Sequence, residues 1–228
     1  AGGRIRYEAR VESLLLSNGL VKGVVLSDGT HLQADTVVAA CDPSDVFVRW
    51  LRDDPPPSAS RLMRQWQRRS PPMGYQSKVD AVLGGIPVPA AAGGLREQIP
   101  GFDPVGHTMV VSPSPDELIQ AHQRRAYGQV ADRPILLIDV PSLVDPLMSP
   151  ATDRHVLSLE VLFTPYDHPG GWKSSTEPGR WLDLWAGQMV PEARDLVMEW
   201  RVTTPDRYET EFSLHQGYSP AWAGSPLD

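Results

Sequence analysis

Only one cysteine, Cys41, occurs in 228 residues, so no internal disulfide can form and no cysteine metal cluster can be built. No apolar run approaches the ~18 residues that a membrane-crossing helix needs. The six histidines stand at 31, 107, 122, 155, 168 and 215 with no i, i+3 or i+4 pair, so no metal site is expected. GxGxxG after a strand, GxxxxGK, GxSxG, HExxH and the acidic calcium loop are all missing, which removes the common nucleotide, esterase and metalloprotease signatures. Positive charge is in short supply. With 21 Lys and Arg against 28 Asp and Glu, the net charge of −7 argues against a nucleic-acid-binding surface. The opening AGGRIRYEAR lacks the charged-then-apolar layout of a secretory signal, and together with the lone thiol this leads to a cytoplasmic expectation. No internal repeat is present.

Proline is abundant at 23 residues and cuts the chain into short elements. The first stretch alternates, with Ile5, Tyr7, Ala9, Val11, Ser13 and Leu15 opposite Arg4, Arg6, Glu8, Arg10 and Glu12, which predicts a strand with one buried face. Asn18-Gly19 and Asp28-Gly29 supply two hairpin turns. The third strand of this meander is expected over Thr36–Ala40, buried on both faces, with Cys41 at its end as a small buried hydrophobe. Such a meander has too little surface to bury to be a domain, and it opens the chain with no preceding element, so a segment of a longer protein is expected.

Beyond it, Asp42 to Asp45 can cap a helix carrying Val46, Phe47, Trp50 and Leu51, stopped by Pro55-Pro56-Pro57. Ser58 or Ser60 starts the next, with Leu62, Met63 and Trp66 on one face and Arg61, Arg64, Arg68 and Arg69 solvated around it. Period two returns from Tyr75 to Leu83, where Ser77, Val79, Ala81 and Leu83 oppose Gln76, Lys78, Asp80 and Val82. Lys78 and Asp80 share a face and can pair. The Gly84–Gly94 stretch is expected to be a turn and loop. A short strand over His107–Val111 precedes a helix opened by Ser114-Pro115-Asp116-Glu117. Ile135–Val140 and His155–Thr164 are expected strands, the latter with Leu157, Leu159, Val161 and Phe163 opposite Ser158, Glu160, Leu162 and Thr164. Gly179–Met189 is an expected helix with Trp181, Leu184, Trp185 and Gln188 on one side. Leu196 to Val202 fits a strand or a helix equally. Thr204-Pro205-Asp206 begins a last helix through Tyr208 and Phe212. The fold class is α+β, with a mixed, largely antiparallel sheet, helices mainly on one face, and the three-stranded meander beside it. Asp167-His168 is the sole adjacent acid–imidazole pair, and no catalytic residues emerge.

Gly2, Gly3, Ile5, Arg6, Ala9, Val11, Asn18-Gly19, Gly23-Val24, Asp28-Gly29, Ala34-Asp35, Val37-Val38 and Asp42-Pro43 form a specific pattern over the opening stretch. Ser77 to Leu83, Phe163 to Tyr166 and Arg201 to Glu209 add weaker matches. Together they resemble the phytoene desaturase-like FAD-dependent oxidoreductases of the amine oxidase type, nearest to the members of the pyridine nucleotide-disulfide oxidoreductase domain 2 kind. The resemblance implies a meander of the FAD domain over 1–43, a substrate-binding domain over 44–215, and a tail over 216–228 leading toward a C-terminal FAD segment. It implies hydride transfer from an apolar small-molecule substrate to FAD. The glycine fingerprint that would hold FAD lies outside this chain, so the chain alone is expected neither to retain FAD nor to be active. Val11 would meet the adenine with its backbone, and Tyr75, Val79, Met109, Leu159, Val161, Phe163 and Tyr166 would face the substrate. The alternative is a non-enzymatic module in which Trp172, Trp181, Trp185, Trp200 and Trp222 form a surface for dimerisation or membrane docking.

Overall fold

The computed structural model describes residues 2–68, 74–106, 108–149 and 151–218. The chain divides into two compact units, 1–71 with 213–215 and 72–212 with 216–228.

In the first unit, β1 (Val11–Ser17), β2 (Leu20–Leu26) and β3 (His31–Gln33) form an antiparallel sheet in that order. Asn18 and Gly19 both adopt positive φ, +53° and +74°, which is the geometry a two-residue hairpin turn needs. The second turn holds Gly29 at φ +80° and lets Asp28 Oδ1 accept the Thr30 N–H at 2.8 Å. That turn sets the register, placing His31–Gln33 opposite Gly23–Val25. Thr36–Ala40 consequently forms no strand. Its partners would have to lie before Leu20, where β2 has already turned back, so Val38 and Cys41 are exposed rather than buried. Ile5 and Tyr7 are likewise exposed and precede the strand. Alternation marks a face, but without a partner for its backbone the segment stays outside the sheet. After the meander, Asp42 Oδ1 accepts the Ser44 N–H at 2.8 Å ahead of a π-helical turn over Asp45–Trp50, and α1 (Ser60–Arg68) buries Met63. Arg69 lies outside the described residues.

The second unit contains a five-stranded sheet of β4 (Gln76–Leu83), β5 (Met109–Val111), β6 (Leu136–Asp139), β7 (His155–Leu162) and β8 (Val197–Thr203), in the order β5-β6-β7-β4-β8. His107, expected to start β5, lies outside the described residues. Every pair is antiparallel, so the sheet is not mixed. β8 resolves the strand-or-helix ambiguity through its ladder to β4, which sequence periodicity cannot see. Helix α2 (Ala92–Gln98) replaces an expected loop: Ala92 is buried, and that anchorage outweighs the helix cost of Gly93 and Gly94. Helix α3 (Pro115–Ala126) starts at the expected residues, with a full capping box between Ser114 and Glu117. Helices α4 (Glu177–Ala186) and α5 (Pro205–Phe212) complete the unit.

Cross-strand register sorts the sheet into two faces. Ser77, Val79, Ala81, Leu83, Leu136, Ile138, Leu157, Leu159 and Val161 are buried on one of them. Trp181, Leu182 and Trp185 of α4 reach 0% exposure against this face, and Trp172 joins them. The indole N–H of Trp172 donates to the Pro165 carbonyl at 3.1 Å and that of Trp181 to Glu177 Oε2 at 3.1 Å. Three of the five tryptophans assigned to a surface patch are therefore core. Trp200 is 41% exposed, and Trp222 lies outside the described residues. Burying an indole of this size stabilises by several kcal/mol, and no smaller residue fills the same volume. Trp181→Ala should cost about 3–5 kcal/mol in chemical denaturation, whereas Tyr7→Ala should stay within about 0.5 kcal/mol.

Candidate functional site

The other face of the five-stranded sheet is only partly covered among the described residues. Its first row across the strands runs Thr203, Lys78, Glu160, Leu137, Val110, each the Cα partner of the next. A second row runs Arg201, Asp80, Ser158, Asp139, and a third pairs Glu199, Val82 and Val156. Lys78, Asp80 and Glu160 therefore sit on the inner strands β4 and β7, with Arg201 and Glu199 on β8 and Asp139 on β6, while Val110 with Leu137 and Val82 with Val156 are the aliphatic pairs of this face. Lys78 Nζ lies 3.1 Å from Asp80 Oδ1, the pair expected from their spacing, and Arg201 Nε reaches Asp80 Oδ2 at 3.5 Å. Half-exposed pairs of this kind add little stability. Their effect is to fix the long side chains along the face.

Helix α5 closes one end of this face. Tyr208 lies among Gln76, Glu160 and Asp80; burial, its hydrogen bond with Gln76 and the two carboxylates act on its phenol together, and the net effect raises its pKa. The next residue, Glu209, accepts a hydrogen bond from the Tyr166 hydroxyl, while Glu209 Oε1 accepts the Gln216 N–H at 3.0 Å. That carboxylate holds the Tyr166 pKa up at about 12, with burial adding to it. Beside them, Tyr75 and Phe163 meet edge-on at 5.3 Å, and His122 of α3 meets Phe163 at 5.8 Å. Arg125 lies over the Tyr75 ring at 5.4 Å and donates from Nη1 to the Gly74 carbonyl at 2.5 Å, with burial lowering its pKa. Phe163 adopts φ +63°. This turn ends β7 one residue after Leu162 and inverts the alternation, so that Thr164 is buried and its hydroxyl accepts from Ser77 Oγ at 3.0 Å.

The residues expected to face a substrate thus fall in two places. Val79, Leu159 and Val161 are at 0% exposure under α4, and Met109 packs against the same core. These four side chains belong to the hydrophobic core of the second unit or pack against it. Tyr75, Phe163 and Tyr166 are only half-buried and gather at the α5 end of the sheet. Sequence periodicity found the strands but missed Tyr208, Glu209, His122 and Arg125, which reach this end from two helices distant in sequence. Val11 begins β1, an edge strand, and its register to β2 slips between Val11 and Ser13. Such a bulge leaves backbone groups unpaired. The Asp167–His168 pair does not form a dyad: His168 Nε2 faces Ser175 Oγ at 3.0 Å, Nδ1 has no hydrogen-bond partner, and the ring stacks on Trp172 at 4.4 Å. Among the described residues no group of three His, Cys, Asp or Glu side chains could hold a metal ion, and no helix is long and apolar enough to cross a membrane.

A phenol whose folded pKa of about 12 exceeds the ordinary 10.0 contributes stability below pH 10 that is lost as pH rises toward 12. Titration of tyrosinate absorbance should show a phenol near pH 12 that Tyr166→Phe removes, and the variant's stability should fall less between those two pH values than the wild type's.

No family model matches the chain. It is 28% identical over 211 residues to pyridine nucleotide-disulfide oxidoreductase domain-containing protein 2 of Rattus norvegicus, covering 88% of this chain and 35% of that protein. It is 26% identical over 233 residues to phytoene desaturase (neurosporene-forming) of Rhodobacter capsulatus, covering 100% of this chain and 40% of the enzyme. The chain thus spans well under half the length of these curated relatives. Both similarities support the family resemblance carried by the opening meander and the later strands.

Proposed function

We propose that this chain is part of an FAD-dependent oxidoreductase, in which the second unit forms the substrate-facing wall and the first contributes Val11 to the cofactor. The observation that carries the reading is the asymmetry of the five-stranded sheet. One face is filled by Trp172, Trp181 and Trp185, while the other presents half-exposed Lys78, Asp80, Ser158 and Glu160 beside the aliphatic pairs Val110–Leu137 and Val82–Val156. Similarity across 100% of the chain to a desaturase supports the reaction class.

The fit to FAD is partial in a specific way. The unpaired edge of β1 at Val11, next to the bulge, suits a backbone contact to an adenine edge. Among the described residues no strand, glycine-rich turn and helix are arranged to cradle a pyrophosphate. When bound, FAD supplies the hydride acceptor. The chain's own residues bind, orient and exclude water. Val110 and Leu137 at one end and Val82 and Val156 at another offer aliphatic contact for an apolar substrate. Tyr208 covers the Gln76 end. Glu160, at the centre beside Lys78, is the carboxylate placed to take up the proton that a C–H substrate loses along with its hydride. The buried side chains Val79, Leu159 and Val161 support this wall from behind.

A non-enzymatic module built on a tryptophan surface is disfavoured, because three of its indoles are buried.

Expressed alone, residues 1–228 should purify colourless and retain no FAD, whereas the full reading frame should purify yellow with flavin absorbance. A colourless full-length protein that takes up no FAD would overturn the reading. In the flavin-loaded protein, Glu160→Gln should slow flavin reduction by about 100-fold with the flavin spectrum unchanged, measured by anaerobic stopped flow.

A further inference from the structure

β8 is an edge strand whose outer side pairs with no other strand among the described residues. Edge strands are usually guarded against pairing by charge, bulges or cover. The register of β8 to β4 slips at Val82/Leu83, so its regular part is Glu199–Thr203. The residues on either side of Trp200 are Glu199 and Arg201, of opposite sign, both on the partly covered face of the sheet. This arrangement is self-complementary. An antiparallel copy of the strand, related by a two-fold axis through Trp200, would set Glu199 opposite Arg201 twice and Met198 opposite Val202 twice. Moving the axis one residue either way would oppose Glu199 to Glu199 or Arg201 to Arg201, and like charges opposed across strands are destabilising. The charges therefore select one register of self-pairing.

A second observation lies at the same corner. Trp200, Met198, Ile86 and Val190 are all exposed apolar side chains. The loop that leaves β4 carries Ile86 and runs past Met198 at one end and Val190 at the other. A Cβ on Gly84 would lie 3.4 Å from Met198 Sδ, and Val88 accepts the Val190 N–H at 2.9 Å. Arg201 is 75% exposed and touches Asp80 only at 3.5 Å, so its guanidinium has donors left for a second carboxylate. The Val202 carbonyl accepts from Arg207 Nη1 at 2.6 Å and keeps one lone pair for a partner strand.

We propose that the β8 edge is a homodimer interface, in which two copies of this chain join their five-stranded sheets antiparallel about Trp200, with the Ile86, Val190 and Met198 patch packed against its copy. Such a dimer is independent of whether the sheet serves a flavin. Sedimentation velocity of the 228-residue chain between about 1 and about 100 μM should show a species of twice the 25.1 kDa mass. Arg201→Glu and Glu199→Arg should each weaken the dimer at least tenfold, and the double swap should restore it. The double swap still leaves a carboxylate beside Asp80 within each copy, so restoration reports the pairing across the axis. In a Cys41→Ser background, Trp200→Cys should oxidise to a covalent dimer, whereas Val156→Cys on the central strand should not. A chain monomeric over the whole range, or a dimer indifferent to both charge reversals, would overturn the proposal.

Discussion

One face of a five-stranded sheet can be filled only once, and here three indoles fill it. Trp172, Trp181 and Trp185 occupy the space over Val79, Leu157, Leu159 and Val161, and nothing else could be accommodated there without removing them. The consequence reaches the whole second unit. Any ligand of this sheet must approach the opposite face, where the strands alternate into Lys78, Asp80, Ser158 and Glu160. A strand whose apolar residues look like pocket walls can therefore be the back of the wall, with its polar residues in front.

The second constraint is local. Phe163 at positive φ stops β7 and turns the chain, bringing Phe163 against Tyr75 and His122 and burying Thr164 against Ser77. Tyr166 then reaches Glu209, and α5 lies at the same end with Tyr208 over Gln76. A single backbone inversion thus joins three elements distant in sequence into one aromatic and acidic corner. The Arg125 guanidinium completes it by holding the Gly74 carbonyl where the chain enters β4.

Charge is distributed with equal economy. In a chain of net charge −7, arginines of the second unit are placed where they order carboxylates: Arg201 of β8 at Asp80, Arg207 at Glu211 within α5, and Arg194 at Asp183 of α4. Exposed pairs of this kind add little to stability.

Local chemistry was decisive wherever one short stretch carries its own geometry. Asn18-Gly19 makes its turn, Ser114 and Glu117 cap α3, Lys78 meets Asp80, and the period-two burial of β4 follows its residues one by one. These are readable because each depends on neighbours a few residues apart. The exposure of Thr36–Ala40 and Cys41, the helix at Ala92–Gln98, the identity of β8 and the burial of the tryptophans were decided by tertiary structure. The reason is the same in each case. Periodicity tells which residues share a face, but a strand needs a partner backbone and a face needs something to cover it, and both come from segments far away in the chain. The α5 corner with Tyr208 and Glu209 was illegible for that reason, while the residues of β4 and β7 beside it were plain from their alternation.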